Sequence, residues 1–315
     1  MAPFICFDIG GTKVQVVIFT KQTCDYRIIY EKKVQTQLGL SALKNILKML
    51  FGDCLDYLAT KSLSCDPCVY IAMVGEFKSD LVLKPGSAFN LCSFDTEFDN
   101  LDLNVFFKSC FGKFSFKILN DALSQCYAGM YSFAKNYKTQ HKIISYLGLG
   151  TGLGGAFFDS SLAKNGDFFS DGHVSRVLIE SRFSREYVNA ESLLSNVFFK
   201  TLFKKNADQI LLNDVLLTKF KKELELFKYH FFDLFDCLFG INSIACSTWS
   251  DNEIKIIKKT SLLLIGGSIG TSSFVVDQIL FDFEFRKKCK ELDIFIYVLD
   301  STSYLGSLGT YLYYN

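Results

Sequence analysis

The chain has 315 residues, a formal net charge of +1 and a pI of about 7.4. Positive and negative residues mix along its length, which argues against a nucleic-acid or membrane-surface footprint, and no apolar run reaches the roughly 18 residues of a membrane span. The length exceeds that at which one core keeps growing, so two lobes with a ligand cleft between them are expected, and small molecules are the expected partners.

Phe4 to Phe7, Val14 to Phe19 and Tyr26 to Val34 read as strands, the first two joined at Gly10-Gly11-Thr12. Leu43, Ile46, Leu47, Leu50 and Leu58 recur at helical spacing between Ser41 and Thr60, with Ser41 as the expected N-cap. Val69 to Val74 is a further buried strand. Lys84-Pro85-Gly86 and Asp95 to Leu101 read as irregular surface. Phe114 to Leu119 returns as a strand and Asp121 to Ala134 as a helix, which places Asn120-Asp121 at a strand's carboxyl end, where open α/β sheets bind ligands.

The second half repeats this logic. Ile143 to Leu147 and Gly155 to Phe158 flank a glycine-rich turn as a second hairpin, helical patterning dominates from about Arg185 to Trp249 and from Ile254 to Thr260, and Ser261 to Ile265 and Ile294 to Leu299 are late strands around a helix-rich crossover. Two strand-turn-strand units half a chain apart suggest a duplicated lobe.

Eleven cysteines include one C-x-x-C pair, Cys65-Asp66-Pro67-Cys68, without the second pair or nearby histidine that a zinc set needs. The odd count and the lack of a signal peptide favour free thiols in a reducing cytoplasm, the expected location.

Chemistry concentrates in Asp8-Ile9-Gly10-Gly11-Thr12-Lys13, in Gly148-Leu149-Gly150-Thr151-Gly152-Leu153-Gly154-Gly155 and in Gly266-Gly267-Ser268-Ile269-Gly270, each after an apolar run. Glycine at such turns lets backbone N–H groups approach an anionic ligand. Gly150-x-Gly152-x-x-Gly155 also fits a dinucleotide fingerprint, but that pattern needs a helix directly after it, whereas Ala156-Phe157-Phe158 reads as strand. Alternatives stand beside the other residues: Asp8 as the start of a tight turn, Asp121 as a helix cap, Gly266-Gly267 as a plain turn, Lys13 as a solvated side chain, His173 as a structural histidine and Glu191 as a capping glutamate.

Together with Leu119-Asn120-Asp121-Ala122, Gly172-His173-Val174, Ala190-Glu191-Ser192-Leu193-Leu194-Ser195 and Leu264-Ile265-Gly266-Gly267, these segments resemble the bacterial-type glucokinases of the actin-like ATPase and sugar kinase superfamily, close to the repressor and sugar kinase group. The motifs keep the family's order from Asp8 to Gly309. The resemblance implies a two-lobed α/β actin-like (ribonuclease H-like) fold, with residues 1–120 plus 304–315 in a small lobe, 121–303 in a large one, and a last helix close-packed through Gly306 and Gly309. It also implies a homodimer through the larger lobe.

For function, the resemblance implies ATP-dependent phosphorylation of a hexose, glucose to glucose 6-phosphate first. Asp121 would be the general base. Gly10, Gly11, Thr12, Lys13, Gly150, Thr151 and Gly152 would cradle phosphates, Gly266 and Gly267 would lie under the adenosine, and Asp8 would hold Mg²⁺ through water. Asn120, Asp121, His173 and Glu191 would contact the sugar. Ser170 stands where the family carries glutamate, and a serine cannot hold two sugar hydroxyls at charge-assisted strength. Another hexose or an amino sugar is therefore an alternative substrate, and a non-catalytic nucleotide- or sugar-binding regulator an alternative function. The zinc motif of the repressor and sugar kinase group is missing after His173, so no structural zinc is expected.

Overall fold

Phe4–Ile9 and Ile143–Leu149 are buried at every position, the pattern of strands covered on both faces. Each is the middle strand of a five-stranded sheet in the computed structural model of the chain, which describes residues 2–23, 25–78, 80–94, 96–161, 167–170, 174–240, 249–299 and 305–315. The chain divides into two compact units, Met1–Ala128 with Thr302–Asn315, and Gly129–Ser301.

In the first unit, β1 (Phe4–Ile9) turns back into β2 (Lys13–Gln22), and β2 into β3 (Asp25–Gln35), all antiparallel. Exposed Glu31, Lys33 and Gln35 alternate along β3, which suits a sheet edge that must not pair further. Helix α1 (Leu40–Thr60) leads to β4 (Cys68–Met73), and α2 (Leu103–Phe111) to β5 (Ser115–Asn120), both strands parallel to β1. The unit ends within α3 (Asp121–Asn136). One face of the sheet packs Ile5, Phe7, Val14 and Ile71 against Leu43, Leu47, Leu50 and Phe107.

Ser41 does not cap α1. Gly39, at φ 104°, is the capping residue, and the Glu97 carboxylate accepts the Leu40 N–H at 2.7 Å. A partner 57 residues away does the work expected of the local serine, and the amides of Ser93 and Leu40 hold the Glu97 carboxyl below its ordinary range.

The second unit repeats the arrangement. β6 (Ile143–Leu149), β7 (Leu153–Asp159) and β8 (Asp167–Ser170) form an antiparallel meander. A small sheet of β9 (Leu178–Glu180) and β10 (Tyr187–Asn189) follows. The helices α4 (Ala190–Leu194), α5 (Asn196–Phe203), α6 (Ala207–Leu211), α7 (Asp214–Lys219), α8 (Lys221–Phe239) and α9 (Asp251–Ile257) come next. Then β11 (Leu262–Gly266) joins β6 in parallel, followed by the short α10 (Gly267–Gly270) and α11 (Ser273–Val275), α12 (Phe283–Glu291) and β12 (Phe295–Val298). The strand orders β3-β2-β1-β4-β5 and β8-β7-β6-β11-β12 match in both sequence and direction. Each sheet is an antiparallel hairpin pair extended by two parallel strands.

The helical pattern expected from Arg185 begins only at Ala190, because Tyr187, Val188 and Asn189 pair with Glu180, Ile179 and Leu178. Phenylalanines fill this unit: Phe198, Phe199, Phe227, Phe231, Phe235 and Phe285 are buried with Trp249 and Leu263 in one core. Among them lies His230, fully buried, whose Nε2 accepts the Arg182 backbone N–H at 3.1 Å and whose ring nitrogen Nδ1 has no partner among the described residues.

The last helix, α13 (Leu305–Tyr314), covers the other face of the first unit's sheet. Tyr311 stacks on Phe4 at 3.6 Å between ring centroids and meets Tyr70 edge-on. Tyr314 donates to the Ile118 carbonyl at 2.7 Å. A side chain on Gly309 would collide with the Ser124 carbonyl, so α3 and α13 meet backbone to backbone.

Candidate functional site

In the first unit, the carboxyl ends of the three parallel strands lie side by side, Ile9 opposite Met73 and Met73 opposite Asn120. Asp8 precedes that line by one residue, Asp121 follows it by one, and the turn Gly10-Gly11-Thr12-Lys13 leaves it from the end of β1. At the end of β1 the Gly10 N–H closes the turn on the Lys13 carbonyl at 3.0 Å. Thr36 holds the turn from behind, donating its hydroxyl to the Gly10 carbonyl at 2.7 Å and its N–H to the Thr12 carbonyl at 3.0 Å. Two carbonyls of the turn are thereby occupied on one side, and Thr12 is exposed.

Asp8 is 8% exposed. Burial raises its carboxyl to about 6; Lys13 and Lys33 oppose the shift and Asp121 adds to it. Half-buried Lys13 is held below the ordinary lysine range, first by burial and with Lys33 adding to it, while Asp8 and Glu31 pull it back.

At the end of β5 the two residues of the Asn120-Asp121 pair divide their labour. The Asn120 side-chain oxygen accepts the N–H groups of Ala122 at 2.9 Å and Leu123 at 3.2 Å, and its amide nitrogen donates to the Gly75 carbonyl at 3.0 Å. Asn120 is thus the N-cap of α3, a role that contributes about 1 kcal/mol, and it ties β5 to the loop after β4. Asn120 carries most of the capping, and Asp121 shares only the Ala122 amide with it. Its Oδ1 accepts the Ala122 N–H at 2.9 Å, and burial raises its carboxyl above the ordinary value against the pull of that bond.

In the second unit the other two glycine segments are brought together. Gly150 closes its turn by donating to the Gly152 carbonyl at 2.9 Å, and Gly148 pairs with Gly266 across β6 and β11. A Cβ on Gly150 would lie 3.8 Å from the backbone nitrogen of Ser268. Gly267 has φ +80° and would drive a side chain into the Leu149 carbonyl, so the third segment is not a plain turn: it opens α10 in a conformation that only glycine adopts without strain. Thr151 at the tip of the second turn is exposed.

Glu191, on α4, stands against this second turn. Its Oε1 accepts the Leu153 N–H at 3.3 Å and lies 2.5 Å from where a Cβ on Gly152 would be. Burial raises its carboxyl, and the Leu153 amide partly offsets that. Ser170 ends β8 opposite Phe157, while Asp171, Gly172 and His173 lie outside the described residues. Lys84-Pro85-Gly86 forms a surface turn in which Lys84 pairs with Glu76 at 3.0 Å and the Gly86 N–H donates to Asp99 at 2.7 Å.

The sequence reading passed over Asn90. It sits in a 3₁₀ turn, Phe89–Leu91, with its Cβ 2.7 Å from where a Cβ on Gly11 would be, against the first glycine turn. Its polar amide in an otherwise apolar stretch, Ala88-Phe89-Asn90-Leu91, was the available signal. Among the described residues no group of three or more His, Cys, Asp or Glu side chains could hold a metal, and no helix is long and apolar enough to cross a membrane.

No protein-family model and no curated protein matches this sequence. Solved structures do: the chain has the α/β actin-like ATPase fold of the ROK (repressor and sugar kinase) proteins over nearly its whole length. A glucokinase from Balamuthia mandrillaris in complex with glucose superposes with a TM-score of 0.68 at 16% identity, over 100% of this chain and 94% of that one. A ROK family glucokinase from Streptomyces griseus in complex with glucose and AMPPNP gives 0.61 at 13%, over 98% of each. A ROK family transcriptional regulator homologous to the E. coli Mlc protein gives 0.65 at 10%, over 99% of this chain and 78% of that one. At these identities the likeness is one of fold.

Proposed function

We propose that this protein transfers a phosphoryl group from ATP to a hexose, glucose to glucose 6-phosphate in the first instance, with Asp121 as general base. The observation that carries the reading is the division of labour at the end of β5. Asn120 caps the helix, so Asp121 keeps Oδ2 for a substrate proton while Oδ1 is fixed by Ala122. A half-buried carboxylate raised above its ordinary value is a stronger base than a solvated one. It accepts the proton of the attacking sugar hydroxyl as the new oxygen–phosphorus bond forms.

The remaining residues neutralise and position, which is most of what phosphoryl transfer requires. In the first turn, which the Gly10 N–H closes, Gly11 and Thr12 would offer amides, Thr12 a hydroxyl and Lys13 a cation to phosphate oxygens; in the second, which the Gly150 N–H closes, Thr151 and Gly152 would do the same. Gly266 and Gly267 present bare backbone to the nucleoside. By the resemblance, Asn120, His173 and Glu191 would contact the sugar. Magnesium fits the acidic end of β1: a buried carboxylate at about 6 with Asp121 adding negative charge gains from a cation nearby. Lacking a cage of protein ligands, such an ion would be held by Asp8 through water, in keeping with magnesium's tight hydration shell, and would supply charge neutralisation at the phosphates.

A second reading has its own support. Ser170 replaces a carboxylate in the sugar-contact set, and a ROK transcriptional regulator shares the fold. That reading is a nucleotide- or sugar-binding regulator, or a kinase for another hexose. A coupled ADP-release assay with Mg·ATP across glucose, mannose, fructose, glucosamine and their N-acetyl forms separates them. Glucose-dependent release supports the first reading, and release with another sugar reassigns the hexose. No release with any sugar, despite nucleotide binding, overturns the kinase and favours the regulator.

A further inference from the structure

Three buried groups link the helix that carries Asp121 to the helix that lies against Asp8. Ser124 is fully buried on α3, one turn after Asp121 and on the same helical face. Its hydroxyl donates to the Gly306 carbonyl in the first turn of α13, and its Oγ is 2.9 Å from the Thr310 hydroxyl, also fully buried. Because the single Ser124 proton goes to the carbonyl, Thr310 must be the donor in the second bond. The result is one directed chain, Thr310 hydroxyl to Ser124 hydroxyl to Gly306 carbonyl, in a dry environment where such bonds reinforce each other.

The Gly306 end of the chain meets Asp8, and its middle member, Ser124, sits one turn from Asp121. A Cβ on Gly306 would lie 3.2 Å from Asp8 Oδ2, so the Gly306 backbone forms the wall against which the Asp8 carboxylate rests. Gly309 lets α13 approach until it touches the Ser124 carbonyl. A serine inside a helix often bonds its own preceding turn; here the hydroxyl is spent across helices instead.

From this arrangement, and resting on the kinase reading above, we infer that Ser124 is a positioning residue. It fixes the first turn of α3, and with it the Asp121 carboxylate, relative to the Gly306 wall of Asp8. Its loss allows the base to drift while the fold persists, and a drifting base serves water as well as sugar. The signature is therefore uncoupling, ADP released without sugar phosphate formed, because a displacement of about 1 Å at a reacting group lowers turnover by up to about 10²-fold without removing any binding contact.

The test compares Ser124→Ala, Thr310→Val and Thr310→Ser with wild type, measuring ADP and sugar phosphate separately. Ser124→Ala is expected to lower kcat for sugar phosphate about tenfold at unchanged KM for ATP, and to raise the ratio of ADP to sugar phosphate. Thr310→Val has a smaller effect of the same kind, and Thr310→Ser restores wild-type coupling. Equal loss of both products, or no loss, overturns the inference. Amide hydrogen exchange on the ligand-free protein tests the clamp apart from the chemistry: segments 121–125 and 306–310 should both exchange faster in Ser124→Ala. If wild type turns over no sugar, the kinase reading fails and the exchange result still decides the clamp. Unchanged exchange in either segment rejects it.

Discussion

Glu191 accepts the amide of Leu153 at 3.3 Å, and the same carboxylate fills the space where a side chain on Gly152 would begin. A residue expected on the sugar thus stands against the second glycine turn, for which we propose a phosphate role, and brings a negative charge to it. Glu191→Gln keeps an acceptor for Leu153 and removes the charge, so it is expected to tighten binding of a fluorescent ATP analogue about three- to tenfold, the effect of one charge at close range in a partly screened setting. Glu191→Ala releases the turn and weakens binding. Unchanged affinity in both variants would separate Glu191 from the nucleotide.

Asp121→Asn preserves size and the Ala122 hydrogen bond but cannot take a proton. Turnover should fall at least about 10²-fold while ATP affinity stays within about tenfold. Rapid-quench measurement of sugar phosphate together with equilibrium nucleotide titration gives both numbers, and retained turnover removes Asp121 from the mechanism.

Gly267→Ala forces a side chain onto a backbone at φ +80° and into the Leu149 carbonyl. We expect a loss of about 1–3 kcal/mol in the second unit, seen as a lower urea midpoint by fluorescence of Trp249, the chain's single tryptophan, which lies in that unit's core. A shift within error would mean that the third glycine segment relaxes freely.

Asp8 lies at about 6 in the folded protein against an ordinary 3.8. Between those values the folded state holds a proton that the unfolded chain has released, so this group's contribution to stability falls as pH rises through the window and is wholly lost above about 6. In chelator-containing buffer, Asp8→Asn should exceed wild type in stability by up to about 3 kcal/mol at pH 7.5, with the gap closing towards pH 4. Calorimetry at several pH values checks it, and a gap independent of pH contradicts it.

His230 acts in the opposite sense. Burial lowers it to about 4 from an ordinary 6.5, so it is neutral when folded while the unfolded chain takes a proton, and stability is lost as pH falls from about 6.5 towards 4. His230→Gln, which can still accept the Arg182 N–H, should gain on wild type by up to about 2 kcal/mol between pH 7 and pH 5 in Trp249-monitored urea titrations. Because Asp8 offsets this trend in the whole protein, the difference between variant and wild type is the quantity to follow.

The central architecture could be read because its strands are buried on both faces: Phe4–Ile9, Ile143–Leu149 and Leu262–Gly266 are mainly apolar, with Asp8 and Ser145 as polar interruptions, and each run stops at glycine. Asn120-Asp121 was legible from its place between the buried Ile118-Leu119 that close β5 and the first turn of a helix. What stayed hidden depends on partners distant in sequence. Glu97 caps α1 across 57 residues, Glu191 meets Gly152 across a run of intervening elements, and Asn90 reaches Gly11 from a 3₁₀ turn too short to carry a period. Strands of three residues such as β9 and β10 exist only through each other.

The stacking of Tyr311 on Phe4 has a consequence for how the chain is made. Residues 305–315 leave the ribosome only after all of the second unit, so throughout synthesis one face of β1, β2 and β4 waits with Phe4, Phe19 and Tyr70 uncovered. The unit begun first is finished last, and a nascent chain halted anywhere in between presents a sticky aromatic surface to chaperones and to its neighbours.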